Sequence, residues 1–196
     1  MKRPIVLLTI VLLLLFSLPA QAGPPMEAVQ TNVNKVLEVL RDPKLKEASA
    51  KEVQREKLRV IYERMFDDVE LSKRTLAKNW NSLNAAQRQE FVLLFRQVLE
   101  KAYIDKILAY TDEKIVFEQE TMVSGTQGEV RTKIVTSSKE VPISYRVLLK
   151  DGTWRVYDIV IENVSMVLNY LTQFNDILAK NTPEQLLEIL RKKVKG

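Results

Sequence analysis

The sequence predicts an α+β fold in which helices come first, an antiparallel sheet follows, and two helices close the chain. Apolar residues recur at helical spacing in the first half, and from Lys114 the period changes from 3.6 to 2. Turn residues separate the segments of shorter period, among them Asp151-Gly152, a strong hairpin signal. Helices followed by a run of strands are the arrangement of an α+β protein.

The first 22 residues have the features of a secretory signal peptide. Lys2 and Arg3 precede an apolar stretch over residues 5–18, and the small residues of Ala20-Gln21-Ala22 form a cleavage site. The apolar stretch is too short for a membrane-spanning helix, which needs about 20 residues. No cysteine follows the site, which excludes a lipoprotein anchor. We expect cleavage after Ala22, export of a soluble protein, and a single domain over residues 23–196.

The composition excludes several classes of function. The chain contains no cysteine and no histidine. Catalysis by Ser-His-Asp or Cys-His groups is therefore excluded, together with the common zinc sites and a disulfide-stabilised fold. Basic and aromatic residues are not interleaved as in nucleic-acid-binding proteins, so we expect no nucleic acid among the partners.

Three amphipathic helices are predicted before the sheet. The first covers Met26–Leu40 and ends at Asp42-Pro43, and a charged connector leads into a second helix that reaches Met65. The third and longest begins at the capping-box pattern Asn84-Ala85-Ala86-Gln87. Its apolar residues change side near Tyr103, so the helix either bends or has its last turns enclosed by other elements.

Four strands are predicted after the long helix, and we place them at Lys114–Val123, Glu129–Thr136, Val141–Lys150 and Trp154–Ile161. The last of them is apolar on both faces, so both faces must be covered by protein or by a ligand.

The turn at Asp151-Gly152 predicts the register of the last hairpin. A two-residue turn pairs Leu149 with Trp154, Val147 with Val156, Tyr145 with Asp158 and Ile143 with Val160. This register places seven apolar side chains and one carboxylate on a single face.

Two helices are predicted after the sheet. The first covers Val164–Leu178, and the second opens with the capping box Thr182-Pro183-Glu184-Gln185. The whole order fits helices packed on a strongly twisted four-stranded antiparallel sheet. Such an arrangement is similar to the NTF2-like or cystatin-like fold.

The segment from Trp154 to Phe174 also resembles the signature of the MlaC family of periplasmic phospholipid-binding proteins, or toluene-tolerance auxiliary proteins. The family pattern is roughly Trp-x-Val-Tyr-Asp-Val-x-Ile-Glu-Gly-Val-Ser-x-Val-x-Asn-Tyr-Arg-x-Gln-Phe, and the chain follows most of it. Upstream, Phe66-Asp67, Ser72-Lys73-Arg74 and Tyr145-Arg146 match the family's Phe-Asp, Ser-x-Arg and Tyr-Arg segments. The resemblance covers about Val29 to Leu190.

Three residues depart from the family pattern. Ala77 stands at a position that is often glycine, and Asn163 replaces the glycine of the corner between the last strand and the next helix. Asparagine tolerates a left-handed backbone, so we expect the corner to be kept. Leu171 replaces an arginine, so any head-group or structural role of that arginine is missing here.

The resemblance implies a soluble periplasmic carrier, not an enzyme, that encloses the acyl chains of a phospholipid. It implies two partners, an outer-membrane lipoprotein–porin complex and an inner-membrane ABC transporter with its substrate-binding component. The implied process is the maintenance of outer-membrane lipid asymmetry. We expect a monomer that carries phospholipid as cargo and uses no cofactor or metal.

The candidate lipid-binding residues are apolar side chains of the long helix, the sheet and the helix after it. From the residues alone, a filled core explains such stripes better than a cavity. The resemblance favours the cavity, because MlaC-like proteins hold acyl chains in one. This predicted wall contains no arginine or lysine, so we expect little head-group selectivity. Its residues are Phe91, Phe95, Val98, Tyr103, Ile107, Ile143, Tyr145, Val147, Val156, Val160, Val164, Val167, Tyr170 and Phe174.

Two further features each have more than one interpretation. Asp158 is a lone carboxylate in an apolar strand, so an exported enzyme could use it as a general base on an apolar substrate. We favour a hydrogen-bonded structural carboxylate, with Arg146, Arg155 and Tyr145 as candidate partners. The basic tail, residues 191–195, could contact an anionic membrane or a partner protein, but a solvated helix end explains it better. A chaperone for apolar peptides is a third functional alternative.

Overall fold

A computed structural model describes residues 23–109 and 113–195. The predicted signal peptide and its cleavage site lie outside the described residues. Within the described ranges, no helix combines the length and the apolar character needed to cross a bilayer.

Six α-helices are present in the described residues, together with three short 3-10 segments. The sequence periodicity did not predict the helix Asp68–Leu76, which carries the Ser-x-Arg segment. Both predicted capping boxes are present: the Gln87 backbone N–H donates to the Asn84 side chain (2.9 Å), and the Thr182 N–H donates to the Gln185 side chain (2.8 Å). The helices are α1 (Pro24–Arg41), α2 (Lys51–Met65), α3 (Asp68–Leu76), α4 (Ala85–Leu108), α5 (Met166–Leu178) and α6 (Pro183–Lys195).

In the part of the chain that the structure describes, five antiparallel strands form one sheet in sequence order, so the predicted number of four is one too few. The additional strand has two residues and turns back along the end of its neighbour through Glu162-Asn163. Both turn residues have positive φ, 48° and 66°, as a two-residue hairpin turn requires. The corner is therefore kept with Asn163 in a left-handed conformation, as predicted. The strands are β1 (Lys114–Ser124), β2 (Gln127–Val135), β3 (Glu140–Lys150), β4 (Thr153–Ile161) and β5 (Val164–Ser165).

The β3–β4 hairpin keeps the predicted register only as far as the pair Val147–Val156. A β-bulge then makes Tyr157 an extra residue in β4, so that Asp158 pairs with Arg146 and not with Tyr145. Past the bulge, each residue of β4 points to the face opposite the one predicted. Ile159, not Asp158 or Val160, therefore joins the apolar face. The bulge lies where the Asp67 N–H donates to the Val156 carbonyl (2.9 Å).

The buried apolar side chains form two main clusters. The sheet cluster joins α1 to one face of the sheet, and the helical cluster joins α3, α4, α5 and α6. Phe66 packs against both, while Trp154 packs against the sheet cluster and Trp80 against the helical cluster. The sheet cluster contains Met26, Val29, Val33, Leu37, Met65, Val130, Tyr145, Val147 and Val156. The helical cluster contains Leu71, Leu76, Leu83, Phe91, Phe95, Val98, Leu99, Val167, Tyr170, Phe174, Leu186, Leu187 and Leu190.

Candidate functional site

A cleft of about 660 Å³ lies between the second face of the sheet and the helices α3 and α5. The α3 residues that line it follow the i, i+3, i+4, i+7 spacing of a single helical face. The sheet contributes charged side chains and the tip of the β1–β2 hairpin, and α5 contributes an apolar side. The lining residues are Glu70, Lys73, Arg74 and Ala77 of α3 and its end, Val123, Gly128, Glu129, Arg146, Tyr157 and Asp158 of the sheet, and Val167, Leu168 and Leu171 of α5.

Asp158 is held by three hydrogen bonds at the inner end of the cleft. Its carboxylate accepts from the Ser165 hydroxyl (2.6 Å), the Val167 backbone N–H (2.9 Å) and the Arg146 guanidinium (3.1 Å). Ser165 in turn accepts from the Leu168 N–H (3.1 Å) and caps α5. Asp158 therefore fastens the first turn of α5 to β4, where a negative charge also suits the helix dipole.

This geometry supports the structural interpretation of Asp158. Both of its oxygens are occupied by groups that position α5, and its side chain is 1% exposed. Of the three candidate partners, Arg146 is the one in contact. Arg155 donates instead to the Glu63 and Phe66 carbonyls, and Tyr145 lies on the other face of the sheet.

Ion pairs lie on both walls of the charged part of the cleft, some within the sheet and one on α3. Arg146 lies between Asp158 (3.1 Å) and Glu129 (3.8 Å), which also pairs with Arg131 (2.9 Å). On α3, the Arg74 Nε donates to Glu70 (2.7 Å). The Arg74 guanidinium carbon stands 3.8 Å from the centre of the Tyr157 ring, a cation–π contact. These contacts give the cleft one apolar side and one charged side.

Two of the departures from the family pattern line this cleft. Ala77 has φ 47° and ψ −121°, a backbone conformation that glycine adopts readily and alanine does not. Leu171 lies on the apolar side, on the helix that Asp158 positions. Where an arginine would add a cation, the leucine extends the apolar surface of α5.

The residues of the predicted wall are not brought together on one surface. Six of them lie in the helical cluster, where the Phe95 ring packs edge-on against Phe174 (5.2 Å between centroids) and Tyr170 (4.8 Å). Tyr103 packs against the same cluster. These side chains fill the space among the helices, because α4 packs on α3, α5 and α6 and not across the sheet. The six are Phe91, Phe95, Val98, Val167, Tyr170 and Phe174.

The sheet residues of the predicted wall are covered by α1. Tyr145, Val147 and Val156 belong to the sheet cluster, and Ile143 packs against it. Burial raises the pKa of the Tyr145 phenol to about 12, so the ring stays neutral in this enclosed position. Val160 points to the opposite face because of the bulge.

Two other predicted residues, Ile107 and Val164, are 40% and 61% exposed. Val167 is the one predicted residue that also lines the cleft. Contact of the predicted residues with lipid stays a prediction.

The prediction missed the charged residues of the cleft. The spacing of Glu70, Lys73, Arg74 and Ala77 was a usable signal, because these four positions share a face of any helix built over them. Glu129 and Arg146 gave no comparable signal, since charged residues on the polar face of a strand are ordinary. Among residues 23–109 and 113–195, no group of three or more aspartate, glutamate, histidine or cysteine side chains is arranged to hold a metal ion.

A second, polar groove of about 630 Å³ lies on the far side of the α2–α3 junction. Its central contact is the ion pair between Lys150 Nζ and Asp67 Oδ2 (2.6 Å). Burial raises the pKa of the Asp67 carboxyl, but the Lys150 ammonium and the Glu70 N–H lower it more, so the net shift is downward. This groove offers no apolar surface comparable to α5.

Comparison with known proteins finds relatives that are described as phospholipid-binding or phospholipid-transport proteins. A curated relative from Haemophilus influenzae, the intermembrane phospholipid transport system binding protein MlaC, is 28% identical over 119 residues, which are 58% of this chain and 56% of the relative. The match thus spans just over half of that relative. A phospholipid-binding protein from Ralstonia solanacearum, solved in complex with a phospholipid, has a TM-score of 0.79 at 20% identity.

That likeness covers 88% of this chain and 98% of the Ralstonia chain, and at this identity it shows a shared fold. The α+β arrangement inferred from the sequence is therefore confirmed. The sequence model of the MlaC protein family matches residues 30–192, more than four fifths of the chain. The chain therefore belongs to the MlaC family.

Proposed function

We propose that this protein is a periplasmic phospholipid carrier. The observation that carries the proposal is the family match over residues 30–192. The H. influenzae relative is named as a binding protein for intermembrane phospholipid transport, and the R. solanacearum protein of the same fold holds a phospholipid. A lipid needs a carrier to pass through an aqueous compartment, because exposing one acyl chain of 16 carbons to water costs on the order of 12 kcal/mol.

The cleft is the proposed entry for the lipid. Its α5 side presents Leu168 and Leu171 to the acyl chains, and its α3 side presents charged groups to the head group. A volume of about 660 Å³ suits a drug-sized ligand, whereas a diacyl phospholipid is larger. Two chains therefore require α5 to move away from the sheet, which would open the boundary between the two apolar clusters. In that opened state the predicted lining residues would contact the chains.

The proposal includes the biological setting that the family implies. The mature chain would be one domain over residues 23–196, released by cleavage after Ala22, and would act as a monomer. It would exchange phospholipid with an outer-membrane lipoprotein–porin complex and with an inner-membrane ABC transporter and its substrate-binding component. The result of that exchange would be the maintenance of outer-membrane lipid asymmetry.

Native mass spectrometry of protein purified from the periplasm tests the proposal. We expect diacyl phospholipid at near-stoichiometric amounts, and protein that carries only free fatty acid, or nothing, would contradict it. A matched pair of variants locates the site. Leu168 in the cleft and Leu93 on α4 are 55% and 52% exposed, so neither Leu168→Asp nor Leu93→Asp disturbs a core. We expect the first to lower lipid content severalfold and the second to leave it unchanged.

A further inference from the structure

The carboxylates in the wall of the cleft are already paired within the protein. Glu70 accepts from Arg74, and Asp158 accepts from Arg146. Glu129 is shared by Arg131 and Arg146. Three cations also line the cleft, and two of them, Arg74 and Arg146, take part in these pairs, whereas the third, Lys73, does not.

Lys73 is the lining cation that stands outside these ion pairs. It lies on the face of α3 that lines the cleft, and its side chain is exposed. Across the described ranges 23–109 and 113–195, no carboxylate forms an ion pair with it. A flexible ammonium at the edge of a cleft, with no anion of its own, is free to bind one from a ligand.

Arg74 presents further donors beside Lys73. Its Nε is used by Glu70 and its guanidinium plane rests on the Tyr157 ring, two contacts that fix its orientation. Its two terminal NH₂ groups have no acceptor among the described residues. A guanidinium held in this way can bind two phosphate oxygens at once.

We propose that Lys73 and the terminal NH₂ groups of Arg74 form a binding subsite for a phosphate group at the mouth of the cleft. The inference rests on the proposed function in taking the phosphodiester of the carried lipid as the source of that phosphate. One phosphodiester carries one negative charge, which matches the single positive charge of Lys73, the lining cation that no described carboxylate pairs with. Leu168 and Leu171 stand on the opposite wall, so a lipid lying across the cleft places its phosphate on α3 and its chains on α5. Every diacyl phospholipid carries this phosphate group, so little selectivity among phospholipid head groups stays a prediction.

Competition between two lipids with the same chains tests the subsite. Delipidated mature protein is mixed with vesicles that contain equal amounts of phosphatidylglycerol and diacylglycerol, and the bound lipid is identified by native mass spectrometry. We expect the wild type to prefer phosphatidylglycerol by about fivefold, a modest ratio because the subsite is exposed. Lys73→Gln should bring the ratio close to one. Lys78→Gln is the control, since Lys78 is an exposed lysine just after α3 that does not line the cleft.

The second arm uses inorganic phosphate alone and separates the two sources of the ligand. Phosphate binding to lipid-free protein is followed by ³¹P line broadening. Binding that is lost in Lys73→Gln and kept in Lys78→Gln would support the subsite with free phosphate as its source. Equal uptake of both lipids by the wild type, without phosphate binding at Lys73, would overturn the subsite and leave the carrier function standing. Uptake of neither lipid would overturn the carrier function, and the phosphate arm would then decide the subsite by itself.

Discussion

The two faces of one sheet have opposite roles in this protein. The covered face, with Val130, Tyr145 and Val147, is sealed by α1 and forms the sheet cluster. The open face, with Glu129 and Arg146, is only partly overlaid by α3 and α5 and forms the wall of the cleft. Neighbouring residues in a strand therefore serve different purposes, since side chains alternate between the faces. Stability depends on the first face and the proposed binding on the second.

The bulge in β4 makes this separation possible. It turns Asp158 from the covered face, where an unpaired carboxylate would be costly, to the open face, where it holds α5. Substitutions on the covered face should therefore unfold the protein, whereas those on the open face should change α5 or lipid binding first.

The largest expected effect is that of a charge on the covered face. Val147 is fully buried, so Val147→Arg should destabilise the fold by more than about 4 kcal/mol. Val160→Arg places the same charge on the open face and should cost less than about 2 kcal/mol, because its side chain can reach water. Denaturant unfolding of both variants measures the difference, and equal stabilities would contradict the bulged register.

A smaller effect is expected where the open face holds α5. Asp158→Asn keeps the shape but removes the charge that three donors share, and it should cost about 2–4 kcal/mol. Hydrogen exchange at the Val167 amide should accelerate more than exchange in β3. Asp176→Asn, an exposed site on the same helix, should change stability by less than about 0.5 kcal/mol. Unaltered exchange at Val167 would show that Asp158 does not fasten α5.

The polar groove predicts a dependence of stability on pH. A carboxyl whose pKa is lower in the folded than in the unfolded protein stabilises the fold at pH values above its unfolded pKa of about 3.9. This stabilisation is lost as the pH falls through the folded pKa. Asp67 is such a group because of Lys150. Lys150→Gln should therefore cost about 1 kcal/mol at pH 7 and progressively less below about pH 4.

Unfolding at several pH values provides the measurement. Lys57→Gln, at an exposed lysine of α2, is the control and should show no such trend. A cost for Lys150→Gln that stays constant from pH 7 to pH 2 would rule out the ion pair as its origin.

The smallest expected effect is a gain in stability at the edge of the open face. The backbone conformation at residue 77 costs alanine about 1–3 kcal/mol, and Ala77→Gly removes this cost. Glycine also makes the unfolded chain more flexible, which reduces the gain in stability by about 0.5–1 kcal/mol. We expect a net stabilisation of about 1 kcal/mol in denaturant unfolding. Ala102→Gly, in the exposed middle of α4, should instead destabilise by about 0.5–1 kcal/mol. A loss of stability in both variants would mean that Ala77 is unstrained.

Most elements of this fold could be predicted from the sequence, because local signals define them. The capping boxes at Asn84 and Thr182 and the turn at Asp151-Gly152 each depend on residues within four positions of one another. The bulge at Tyr157 had no such signal. It lies at the contact between Val156 and the backbone of Asp67, which comes from a distant part of the chain.

The candidate site was harder to predict than the fold, because it too depends on contacts between distant parts of the chain. Apolar stripes on α4 and β3 show that these elements are buried, but not which element buries them. The α4 stripe is buried by α3, α5 and α6, and the β3 stripe by α1. The charged cleft arises where α3 approaches the open face, and neither Lys73 nor Arg146 alone indicates that approach.

The position of the two tryptophans gives the molecule a pair of built-in optical reporters. The chain has two tryptophans, and one packs against each apolar cluster, Trp80 in the helical part and Trp154 in the sheet part. Trp80→Phe leaves an emission signal from the sheet alone, and Trp154→Phe leaves one from the helices alone. Movement of α5 away from the sheet during lipid uptake could then be followed from each cluster in turn, without any attached dye.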